Sequence, residues 1–280
     1  MPSARRKRAL ILIACGALVA PVVAAQPVAP AASGPTYADL VDLADSAPLV
    51  IKANVRKAIR VRNERAPGLA PGTGRFYVEA RTEALLAGNA PIGESLAYLV
   101  DLPLDERGKG PSIKKTSVLL FARPVPGRHG EVQLIKPGAQ LPATPANEQR
   151  VRALLTALLS LDAPAKITGL REMLYVPGTL AGEGETQMFL STEDRSAASI
   201  TVRHEPGQAP RWGVSFSELV ADVANPPKPG TLEWYRLACF LPATPPPGAN
   251  LSQGVTARRQ AEEDYRTVMR ALGPCQRTMN

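Results

Sequence analysis

Leu49-Val50-Ile51-Lys52-Ala53-Asn54-Val55-Arg56-Lys57-Ala58-Ile59-Arg60-Val61-Arg62 decides the fold of this 280-residue chain, because its apolar period is two. Ile51, Ala53, Val55, Ile59 and Val61 alternate with Lys52, Asn54, Arg56, Ala58, Arg60 and Arg62, the pattern of a long strand with one buried and one wet face. Lys57 interrupts the apolar row and predicts a bulge or a free edge there. The alternation resumes at Phe76, Val78, Ala80 and Thr82, and shorter strands are expected over residues 95–102, 116–125 and 131–136. Pro126-Gly127-Arg128-His129-Gly130 supplies the turn between the last two. Five strands, the first long enough to bend across two sheets, predict a small closed or partly open barrel.

Around this barrel the period returns to that of helices. Thr36 is placed to cap a short helix with Tyr37, Leu40, Val41 and Ala44 on one face. On the other side, the proline-containing stretch 137–145 marks the expected boundary between a barrel domain, 36–143, and an α+β domain, 144–280. Thr144 and Pro145 fit the cap and first turn of a helix whose Val151, Leu154, Leu155, Leu158 and Leu159 form an apolar stripe. Strands are expected over 166–176, 185–192, 197–204 and 211–217, an antiparallel four-stranded sheet packed with helices. A short helix from Thr231 and a last one over 256–272 complete an α+β fold.

The order Leu49 to Val55, Arg75 to Ala80 and Thr116 to Phe121 resembles, in strand pattern, exported OB-fold modules of the netrin and metalloproteinase-inhibitor type. That likeness implies an OB-like five-stranded barrel. The N-terminal cysteines through which those inhibitors touch a metal have no counterpart here, so their activity does not carry over. The whole chain also resembles uncharacterised exported proteins of Gram-negative bacteria, which brings no residue-level role.

Export is legible in the first 25 residues. Arg5, Arg6, Lys7 and Arg8 precede an uncharged apolar run over 9–25, and Val23-Ala24-Ala25 presents small residues where a signal peptidase cuts. A flexible Pro/Ala-rich spacer, 26–35, follows. Two alternatives stay open: Leu12-Ile13-Ala14-Cys15 as a lipobox that leaves a lipid on Cys15, or an uncleaved anchor. The expected location is periplasmic or secreted, with the membrane touched only through the leader or that lipid. Removing the four leader cations lowers the formal charge from +8 to +4, which gives no reason to expect a nucleic-acid partner. It also removes the odd cysteine, leaving Cys239 and Cys275 as the expected disulfide across the terminal helices.

Reactive motifs are sparse. His129 and His204 lack metal-ligand spacing, so neither a metal nor a cofactor is expected. Gly213-Val214-Ser215-Phe216-Ser217 departs from a nucleophile elbow at its last position, and the glycine-rich stretch 68–75 lacks the Lys-Ser/Thr ending of a phosphate loop. Two polar or aromatic sets remain. Lys52, Arg56, Arg60 and Arg62 form an anion- or partner-binding row if the strand is regular, or else a solvated face paired with Glu79 and Glu83. Trp212, Trp234 and Tyr235 either line a ligand groove or anchor the core. The expectation is a non-enzymatic binding or assembly protein of the cell envelope, its partner an envelope protein, a glycan or a lipid headgroup. The rival is an envelope hydrolase using Glu183, Glu185 or His204, with a site not visible as a motif.

Overall fold

The computed structural model describes residues 34–128, 130–218, 223 and 226–279. The leader, Cys15, the spacer through residue 33 and His129 lie outside the described residues.

Helix α1 (Tyr37–Ser46) starts at a capping box: Thr36 Oγ1 accepts from Asp39 N–H at 3.1 Å, and the Asp39 carboxylate accepts from Thr36 N–H at 2.8 Å. Strands β1 (Leu49–Arg60), β2 (Thr73–Ala87), β3 (Ser95–Pro103), β4 (Ser117–Pro124), β5 (Val132–Leu134) and β6 (Gln140–Pro142) follow. They form an antiparallel sheet in the order β3-β2-β1-β4-β5, with β6 beside β5 on the same edge of β4. The stretch expected as a plain connection therefore contributes a sixth strand, three residues long and ended by Pro142. The five-stranded closed barrel is corrected to this six-stranded sheet. Its outer strand β3 meets Glu131, the residue before β5, through an isolated parallel bridge at Ala97, not a continuous ladder.

The interruption expected at Lys57 is a bulge. Val55 pairs with Ala80 and Lys57 with Glu79, so Arg56 is the extra residue. Beyond it the faces of β1 exchange. Ala58 opposes buried Val78, while Ile59 opposes Tyr77 and stands 47% exposed, contrary to the buried position its sequence parity predicted.

Helix α2 (Pro145–Leu158) has the expected cap, Thr144 Oγ1 accepting from Asn147 N–H, and buries Val151, Leu154 and Leu155. Leu159, at the tail of the predicted stripe, lies beyond the helix and is exposed. The second sheet, β7 (Ile167–Pro177), β8 (Gly184–Thr192), β9 (Ser199–His204) and β10 (Arg211–Ser215), is an antiparallel meander in the order β10-β9-β8-β7. Helix α3 (Leu232–Ala238) precedes α4 (Gly254–Leu272), which packs on β7 and β8. The free edge of β7 is covered, since Met173 N–H donates to Ala249 O and Leu251 N–H to Met173 O, both at 2.8 Å. The α+β class holds, with one sheet inside residues 49–142 and the other inside 167–215. Among the described residues no helix is long and apolar enough to cross a membrane.

From Gly34 onward the chain packs as one unit. Helix α1 is a tie within it. Asp45 meets Arg236 of α3 at 3.3 Å and Lys166 at 3.1 Å. The C-terminal tail crosses the same helix: Arg277 pairs with Asp42 at 2.6 Å, while Thr278 and Met279 donate backbone N–H groups to Asp39. Burial alone would raise the Asp39 carboxyl, but hydrogen bonds from Thr278, Thr36 and Met279 outweigh it and hold the group at about 2. A carboxyl depressed on folding stabilises the protein above its unfolded pKa, and that stabilisation is lost as pH falls through the folded value. Asp39→Asn is therefore expected to cost about 2 kcal/mol at pH 7 and to cost progressively less between pH ~4 and pH ~2. Urea unfolding at a series of pH values checks this; parallel wild-type and variant curves across that window would refute it.

Candidate functional site

The first sheet carries a recess between β3 and the chain that runs through β5. Ala97 N–H donates to Gly130 O at 2.7 Å and Asp101 N–H donates to Pro137 O at 2.8 Å. Between these anchors β3 advances four residues while the opposite arm advances seven. At roughly 3.3 Å per extended residue the longer arm must bow away. The result is a cleft of 560 Å³ between β3 and residues 131–137. Because Ala97 and Asp101 turn their N–H groups to this seam, strand parity turns the Leu99 backbone toward it as well.

The cleft is amphipathic. Tyr77 and Leu99, cross-strand neighbours, are 39% and 48% exposed on its β2–β3 wall, and Val125 and Ile135 add apolar surface. Arg75 fixes the rim through two hydrogen bonds to Asp101, 2.7 and 2.8 Å, which raise its guanidinium. Arg128 with Glu131 and Lys136, bonded to Met279 O, complete the polar edge. Tyr98 turns inward, donating to Gln140 at 2.6 Å, and burial pushes its phenol up.

A second recess, of 610 Å³, gathers Glu183, Glu185 and His204, the three residues of the hydrolase rival. Each has a structural partner. Glu183 accepts from Thr179 and Leu180 N–H groups in its own hairpin, and Glu185 accepts from Arg203 at 3.1 and 3.2 Å. His204 Nε2 lies 2.9 Å from both oxygens of Asp264, whose carboxylate also accepts from Thr186 and Gln260. Asp264 and Thr186 are buried, so this cluster pins α4 to β8 and β9. Sequence reasoning missed Asp264, whose partners lie 60 and 78 residues away. The charged positions of α4's buried face were the signal available.

The basic row of β1 is divided. Lys52 meets Glu148 of α2 at 2.9 Å and Glu83 at 3.9 Å, and the hydrogen bond to Glu148 raises its ammonium. Arg56 occupies the bulge, Arg60 donates to Gly108 O at 2.6 Å, and Arg62 immediately precedes the 3-10 turn Asn63–Arg65, its side chain making no capping hydrogen bond. Trp212, Trp234 and Tyr235 are 6%, 9% and 2% exposed. Trp234 Nε1 donates to Leu272 O at 2.8 Å, and the Tyr235 hydroxyl donates to Asp42. Cys239 and Cys275 are joined as a disulfide, Cα atoms 5.1 Å apart. Among the described residues no three His, Cys, Asp or Glu side chains converge to hold a metal.

No protein-family model and no curated protein matches the chain.

Proposed function

We propose that the chain is an exported binding or assembly protein of the bacterial cell envelope, and that the seam between β3 and β5 takes an extended peptide segment of an envelope protein. The observation that carries this reading is the unequal span of the two strands, which leaves backbone and half-exposed apolar side chains together in one cleft. A strand edge supplies main-chain hydrogen bonds and alternate side-chain pockets supply selectivity, the logic of strand addition. The order β3-β2-β1-β4-β5, with an isolated bridge between Ala97 of β3 and Glu131 just before β5, favours reading the first sheet as an OB-like barrel left partly open. A disulfide suits an oxidising compartment such as the periplasm.

The hydrolase reading has its own observation, the convergence of His204, Glu183 and Glu185. Their commitment to Asp264, the hairpin backbone and Arg203 favours a structural role instead.

Peptide display tests the binding reading. A random-peptide library panned on the protein is expected to yield extended, apolar-alternating ligands whose binding falls at least about tenfold with Leu99→Asp, the cost of a charge set against an apolar contact. Leu161→Asp, at an exposed site outside the cleft, is the control and leaves binding unchanged. Ligands insensitive to Leu99→Asp, or none at all, would overturn the assignment.

A further inference from the structure

One end of the first sheet carries a concentration of cations that the seam does not use. Past the bulge, the edge of β1 that β4 leaves at Asn54 is flanked by residues 105–116: Lys115 N–H donates to Val55 O at 2.8 Å, and Arg60 donates to Gly108 O. This brings Arg107, Lys114 and Lys115 beside Arg56, Arg60 and Arg62. All six are exposed, and among the described residues none of them forms an ion pair. Lys52, Lys57 and Arg75 in the same sheet are each paired. The acidic neighbours Glu64, Asp105 and Glu106 do not cancel the patch, and the Asp105 carboxylate is occupied by the N–H groups of Arg107 and Lys109.

Lys115 adds an independent observation. Its φ is 66°, a left-handed conformation that costs a non-glycine residue on the order of 1 kcal/mol or more. A lysine held there, where glycine or asparagine would be unstrained, presents its ammonium at the tip of a turn closed by Thr116 N–H to Ile113 O. The shape is also informative. The depression at this end is shallow, lined only by the consecutive residues Arg60, Val61, Arg62, Asn63 and Glu64, and holds no aromatic. A neutral saccharide is held by walls and stacking faces; a sheet of phosphates needs neither. Ile59, 47% exposed between Ala58 and Arg60, supplies an apolar contact at the edge.

We infer that this cationic end docks the protein on anionic phospholipid headgroups. Unpaired arginines are suited to bidentate phosphate contacts, and each basic residue near an anionic bilayer adds to attraction that salt screens. Arg60, Arg62, Lys114 and Lys115 do not line the seam cleft, so peptide capture and membrane docking are tested independently.

The test is co-sedimentation of the chain, as recovered from its expressing cell, with vesicles of phosphatidylglycerol and phosphatidylcholine and with vesicles of phosphatidylcholine alone. Wild type is expected to partition onto the anionic vesicles only, less so as salt rises. Combining Arg60→Gln, Arg62→Gln, Lys114→Gln and Lys115→Gly is expected to reduce that partition on the order of a hundredfold. Each variant keeps the same N-terminus, so any leader contribution cancels, and thermal unfolding confirms the fold. A second variant removes four exposed cations elsewhere, by Arg195→Gly, Lys228→Gln, Arg266→Gln and Arg270→Gln, and is expected to retain most of the binding. Three results would overturn the assignment: no wild-type binding, equal losses in the two variants, or retention by a soluble anionic polysaccharide with none by vesicles.

Discussion

Asp264→Ala is expected to destabilise the protein by about 2–5 kcal/mol, the cost of leaving two donors without their acceptor at roughly 1–3 kcal/mol each. The carboxylate is 2% exposed and takes hydrogen bonds from three side chains on three elements: Thr186 of β8, His204 of β9 and Gln260 of its own helix α4. Alanine would leave the Thr186 hydroxyl, itself wholly buried, and the His204 ring with no acceptor, and each stranded donor carries its own desolvation penalty. It would also remove the hydrogen bonds by which the buried face of α4, where Asp264 lies among Ala261, Tyr265 and Val268, is tied to β8 and β9. Replacing the cluster together, with Thr186→Val, His204→Leu and Asp264→Leu, is expected to recover much of the loss, since no orphan group remains. Urea denaturation with a double-mutant cycle between His204 and Asp264 measures the coupling. A loss below about 1 kcal/mol for Asp264→Ala would show that the carboxylate is dispensable for stability and would return the pair to the hydrolase reading.

That cluster also shows where the sequence stops being readable. Local rules sufficed for elements whose causes are local: the Thr36 and Thr144 caps, Pro145 in the first turn of α2, the alternation of β8, and the bulge announced by Lys57. They failed where the cause is pairing between distant segments. The exposure of Ile59 follows from a one-residue slip that reverses every side chain beyond Arg56, and parity counted along the sequence carries no record of it. Strand β6 is only Gln140-Leu141-Pro142, too short for a period to be seen, and exists because β4 has an unfilled half-edge. The seam cleft is a difference between two spans, four residues against seven, and neither strand shows it alone. For the same reason the basic row read from β1 is only half of the cationic end. Its other half comes from a loop about fifty residues later, brought alongside by Lys115 N–H donating to Val55 O and by the Arg60 guanidinium donating to Gly108 O.

Reduction of Cys239–Cys275, or its replacement by Cys239→Ala with Cys275→Ala, is expected to cost about 3–4 kcal/mol, the loop-closure entropy for a bridge spanning 36 residues. The bond has a second consequence that entropy alone does not contain. Gly273, at φ 69°, ends α4 and turns the chain, and Cys275 then fixes the point from which Arg277, Thr278 and Met279 reach α1. The hydrogen bonds from Thr278 and Met279, together with that from Thr36 in the capping box, are what hold the Asp39 carboxyl low, against the opposing effect of burial. Once the anchor is cut, the tail keeps only its own hydrogen bonds against the entropy of its free residues, roughly 1–2 kcal/mol for each backbone unit ordered. Its release would return Asp39 toward the usual carboxylate range, so the stability that wild type loses between pH ~4 and pH ~2 would already be missing at pH 7. Reduced protein should therefore show a flatter acid limb as well as a lower denaturant midpoint. Asp39→Asn should add little to the reduced form while costing about 2 kcal/mol in the oxidised one. Additive losses would mean that the tail stays docked without the disulfide, and equal stability with and without reductant would show that the bridge contributes nothing to the fold.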